Sequence, residues 1–232
     1  MKKYKLSDET KTLPWGTVLH RVVATTTFTL ACGLTINAGD VGGWIEKESN
    51  LSDNAWVADN AWVYDNARVS GDALVCDNAQ VSGCALVYGN TLVANNARVS
   101  GDAHVYDHAQ IDGDAKVYDK ARVFGDAWVF SDAHVFGNAK VYGNAKVCDN
   151  AWIRGDAEVV MNEGDYSVFK DSWSSGRYFT WTKSNDMWAE GSFYGTGDEL
   201  IKKAYADSED SGKHYEAYVT LVETLKNVEQ EK

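Results

Sequence analysis

Proline is almost missing from this chain, with Pro14 the only one. Gly, Asp, Asn and Ala abound instead, which suits a fold of many tight turns held at positive φ. Cysteine is sparse too. Cys32, Cys76, Cys84 and Cys148 contain no CxxC pair and no Cys/His cluster at zinc spacing, so they are expected as reduced thiols. No stretch approaches the ~20 apolar residues that a membrane span needs. Nor does the start "MKKYKLSDETKTLPWGTVLHRVVATTTFTLACG" make a convincing leader: Asp8 and Glu9 break its basic region, and His20, Arg21 and the threonines break its apolar one. Positive charge is in deficit, with 22 basic against 34 acidic residues and a net charge of -12, which makes double-stranded DNA a poor partner. The expectation is a soluble, cytoplasmic protein. Its 232 residues, 44% of them hydrophobic, suffice for a real core in one or two domains.

What the chain does have is a repeat. In "VYDNARVSGDALVCDNAQVSGCALVYG" (63–89) nearly the same letters return every six residues. From Val57 to Val159 a Val or Ile recurs eighteen times at that period, and two residues before each stands Ala, except at Thr91. Positions two apart share one face of a strand, so Ala and Val point inward together. Pairs such as Asp65-Asn66, Gly71-Asp72 and Gly143-Asn144 tolerate left-handed backbone and read as corners. A unit this small cannot bury its inner face alone, and stacking into a solenoid is the remedy.

The pattern resembles the hexapeptide repeat of left-handed parallel β-helices, in which three hexapeptides make one coil of a triangular prism. The resemblance implies an all-β solenoid of about six coils; at ~4.8 Å per coil it would stand roughly 29 Å tall. The flanks "GDVGGWIEKESNLS" (39–52), "SSGRYFTWT" (174–182) and "FYGTGDELIKKAYADSE" (193–209) resemble uncharacterised hexapeptide-repeat proteins of bacterial and phage genomes, often labelled transferases on the strength of the fold. We divide the chain into an N-terminal β cap (1–50), the β-helix (51–160) and a C-terminal extension of short strands and two helices (161–232). The helices are expected near 198–207 and 212–229, the second with Tyr215, Tyr218, Val222 and Leu225 as its apolar stripe, which could cap the prism or pair with another subunit.

Chemistry is harder to place. Hexapeptide acyltransferases, which the helix resembles, use a histidine base and loops that interrupt the coils to hold a CoA thioester. Here residues 51–160 run without one insertion, which argues against an enzyme. His104 and His134 occupy outward slots and are the candidates for a base. A three-histidine zinc site of the carbonic-anhydrase type would need His104, His108 and His134, but 134 is not a multiple of eighteen residues from either. Cys76 and Cys148 share a column yet lie four coils apart, about 19 Å, beyond disulfide reach. We therefore expect neither metal nor cofactor. Acidic corner rows that mimic DNA would need unbroken Asp, and Asn interrupts them.

Counted by eighteens, the outward residues are more informative. Tyr88, Tyr106, Phe124 and Tyr142 should stack as a ladder on one face, with Leu86, His104, Arg122 and Lys140 beside them. Aromatics suit strands and stabilise them by stacking. A long exposed apolar stripe also reads as a partner surface. One partner is another copy, a trimer being what the resemblance implies; the other is a host protein or a small nucleotide ligand held by rings and cations. The sequence thus points to a non-enzymatic, self-associating scaffold with a rigid binding face, with a CoA-dependent acyltransferase as the alternative.

Overall fold

A computed structural model describes residues 2–159, 164–173 and 176–230. The boundary drawn at 160–161, and Ser174 and Ser175 of the flank motif "SSGRYFTWT", lie outside the described residues. Eighteen two-residue strands, β6 (Trp56–Val57) through β23 (Glu158–Val159), follow one another at the six-residue period. Each pairs in parallel with the strand eighteen residues away, as in Val63↔Val81, Val87↔Val105 and Val93↔Ile111. Three sheets result, so every third strand shares a wall. The first wall runs through Trp62, Gln80, Arg98, Lys116, His134 and Trp152, and the second through Arg68, Leu86, His104, Arg122, Lys140 and Glu158. The third runs through Trp56, Leu74, Leu92, Gln110, Trp128 and Lys146. The protein is a parallel β-solenoid of about six turns.

The repeated letters explain this locally. Every repeat Ala and every repeat Val or Ile from Ala61 to Val159 is fully buried, and together they form one continuous core down the axis. All eighteen first corner residues, from Asp53 to Gly155, have positive φ. Gly tolerates that backbone without strain, and Asp and Asn tolerate it better than other residues. Aspartate adds a second service. The Asp59 carboxylate accepts the backbone N–H of Asp77 at 3.3 Å, that of Asp77 the N–H of Asn95 at 3.0 Å, and that of Asp107 the N–H of Gly125 at 3.2 Å. A corner carboxylate therefore satisfies a donor of the next coil, and much of the acidic excess has this structural use.

A solenoid exposes unpaired backbone at both ends. At the upper end, donors of the last coil on all three walls meet side-chain oxygens: Trp152 N–H donates to Thr180 Oγ1 (2.9 Å), Glu158 N–H to Ser184 Oγ (2.7 Å) and Cys148 N–H to Tyr166 Oη (3.3 Å). These oxygens come from the antiparallel sheet β24 (Tyr166–Lys170), β25 (Tyr178–Thr182), β26 (Met187–Glu190) and β27 (Phe193–Gly195) and its turns. Alternation along β25 aims Thr180 at the coil and Phe179 and Trp181 at a separate core with Trp188, Leu200, Tyr215 and Val222. Helices α1 (Gly197–Asp207) and α2 (Glu209–Gln230) close that second core. So the strands meet the prism, and the helix stripe packs on the strands, except Leu225, which is exposed. No described helix is long and apolar enough to cross a membrane.

At the lower end β1 (Tyr4–Thr12) and β2 (Val18–Ala24) form a hairpin, and β2 pairs antiparallel with β5 (Val41–Ile45). Strand β5 pairs in parallel with Trp62–Val63, so these three strands extend the first wall to nine. A small hairpin, β3 (Phe28–Thr29) with β4 (Thr35–Ile36), sets Phe28 edge-on against Trp56. The Tyr4 hydroxyl donates to the carbonyls of Glu48 and Leu51, and Arg21 donates to those of Gly42 and Asp59.

Candidate functional site

Because the core fills every inward position, only outward columns can act. On the second wall Tyr88, Tyr106, Phe124 and Tyr142 each follow the buried Val of their strand. Their rings stack at 5.0, 4.9 and 4.9 Å between centroids, within 2° of parallel. This spacing is the rise of the coils themselves, so the backbone register sets the ladder. Each inner ring has both faces covered by its neighbours. What the ladder offers to solvent is ring edges and hydroxyls, and Tyr88 at its lower end is 36% exposed. Burial raises the Tyr88 and Tyr106 hydroxyls above their ordinary range, so both stay protonated and can donate.

Leu86, His104, Arg122 and Lys140 run alongside, each paired with the next coil. The upper end of both columns is closed by a residue absent from the sequence-based list, Glu158. Its carboxylate takes Lys140 Nζ at 2.7 Å and the Tyr142 hydroxyl at 3.1 Å. Those two hydrogen bonds hold the Glu158 carboxyl below its usual range, and the same contact raises Lys140. One more step of eighteen from Lys140 would have found it.

The two histidines are not brought together: His104 lies on the second wall and His134 on the first. The His134 ring stacks on Trp152 at 5.2 Å, and its Nδ1 is buried without a hydrogen-bond partner. Burial, reinforced by Lys116, pushes its imidazole below the usual range. His108 stands at a corner, 3.5 Å from Asn90. Among the described residues no group of three or more His, Cys, Asp or Glu could hold a metal ion.

The other walls carry shorter aromatic stacks. Tyr118 and Phe136 lie 4.8 Å apart, with the Arg154 guanidinium 4.9 Å above Phe136. Trp128 and Phe130 lie 4.3 Å apart. The four-ring ladder is the longest aromatic stack among the described residues.

Against known proteins, residues 61–77 match a family described as the YdcK Beta solenoid repeat. No curated protein matches the chain. The matched segment spans just under one coil, with one strand on each wall, and it agrees with the geometry in marking a repeating β-solenoid scaffold.

Proposed function

We propose that this chain is a non-enzymatic, self-associating scaffold, a left-handed solenoid of the hexapeptide-repeat class, whose second wall is the face at which copies meet. The observation that carries the reading is the ladder of Tyr88, Tyr106, Phe124 and Tyr142, stacked within 2° and presented edge-out. Such a stripe is flat, continuous and apolar between its hydroxyls, and a soluble chain rarely leaves one bare. Packing of three copies side by side, the arrangement the resemblance implies, would cover it and bring Arg122 into reach of the acidic corners of a neighbour.

Mutual coverage of the rings bears on the choice of partner. A nucleobase needs an open ring face, and within the ladder only the two ends, the lower side of Tyr88 and the upper side of Tyr142, are left uncovered by another ring of the stack. A protein surface needs only edges, so a second copy is favoured over a nucleotide. The remaining faces are then free for a host protein, in keeping with the resemblance of the flanks to phage and bacterial proteins and with action in the cytoplasm. Acyl transfer is the weaker reading, because the His134 ring is committed to Trp152. Replacing Tyr106 and Phe124 together by Asp should yield folded monomers, read as molar mass by light scattering. A folded double variant with the wild-type mass would remove the proposal.

A further inference from the structure

We propose that the outer face of the first wall carries a separate binding site for a polyhydroxylated acid, that is, one carboxylate or phosphate borne on a body of hydroxyl groups. A groove of about 490 Å³ runs there along the solenoid axis, within the range of small-molecule sites. Its floor is the column Arg98, Lys116 and His134, adjacent coils in direct register. Its rim is the corner column Asn96, Asp114 and Asp132. Floor and rim are two residues apart on each coil, with a fully buried Ala between them.

Two features select the ligand. First, Arg98 and Lys116 rise from paired strands one coil apart, ~4.8 Å, and neither is ion-paired among the described residues. His134, kept neutral near pH 7 by burial and by Lys116, adds a ring nitrogen and no third charge. An anion placed between the two cations relieves their repulsion and gains charge-assisted hydrogen bonds. Second, the rim is acceptor-rich, and Asn96 Nδ2 donates to Asp114 Oδ1 at 3.1 Å, which orients that carboxylate. Asp114 and Asp132 repel a bare anion but accept from hydroxyls. The ligand must turn its charge to the floor and its hydroxyl groups to the rim.

The test titrates the full chain with glucuronate and with glucose 6-phosphate, against glucose, acetate and inorganic phosphate, followed by calorimetry and amide NMR. One of the two acids should bind in the millimolar range or tighter, at least ~10-fold better than all three controls, and shift the amides of residues 96–134; which acid does so tells carboxylate from phosphate. Lys116→Gln should weaken it by ~10-fold or more, and it should fold, because Gln80 and Gln110 already fill equivalent outward slots. Asp114→Asn with Asp132→Asn should weaken the acid while leaving inorganic phosphate no weaker. The proposal is overturned if neither acid shifts those amides, if inorganic phosphate binds as well as the acids, or if Lys116→Gln binds like wild type. The site and the ring ladder lie on different walls, so failure here leaves self-association standing.

Discussion

Thr91 is the one break in the inner alanine column, and it makes a sharp test of the packing account. It is 2% exposed, and its hydroxyl is buried with no hydrogen-bond partner. A buried hydroxyl left unsatisfied costs about 1–3 kcal/mol. Val has nearly the same shape without the polar atom, so Thr91→Val should remove that cost and leave no cavity. We expect a gain of about 1–2 kcal/mol; for a chain of this size each kcal/mol moves Tm by about 2–4 °C. Thr91→Ala is the control, since it removes the same hydroxyl but also empties a methyl-sized space, and should gain less. Thermal and urea unfolding followed by circular dichroism would measure both. A Thr91→Val variant less stable than wild type would mean that the hydroxyl has a partner, and the inner column would not be the dry stack described.

Two further outcomes follow from the corners and the first wall. Gly137 has φ +70, and the non-glycine residues at such corners are Asp, Asn or Ser, never β-branched; Gly137→Val should cost at least ~1–3 kcal/mol, and Gly137→Asn clearly less, by melting temperature. His134 has a folded imidazole pKa below its unfolded one, so the unfolded state binds more protons as pH falls past the ordinary histidine range. This part of stability is present at neutral pH and lost on acidification, and His134→Gln should flatten the fall in melting temperature between neutral pH and about 5; an unchanged pH slope would contradict it.

The solenoid was legible because it is local. Val, Ala and the corner residues are set by the six-residue period, and counting eighteens was enough to place Tyr88, Tyr106, Phe124 and Tyr142 in one stack. Other features depend on distant pairings that no short window contains. Strand β2 reaches the first wall only through β5, and the upper end is sealed by Thr180, Ser184 and Tyr166, an unremarkable Thr, Ser and Tyr in the sequence. The apolar stripe from Tyr215 onward points to a helix over 212–229, three residues short of the observed start at Glu209. The chain instead begins the helix after Ser208, whose hydroxyl accepts the N–H of Ser211, and carries Gly212 inside it. The groove of the first wall is not legible in the sequence for a different reason: Arg98, Lys116 and His134 are three different letters, and their shared column has meaning only once charge and burial are known.

The most direct measurement is the molar mass of the wild-type chain in solution beside that of the Tyr106→Asp, Phe124→Asp variant. The account predicts a multiple of 25.5 kDa for wild type and the single-chain mass for a variant with the same circular dichroism spectrum. A wild-type chain that runs as a monomer, or a folded variant that keeps the wild-type mass, would contradict it.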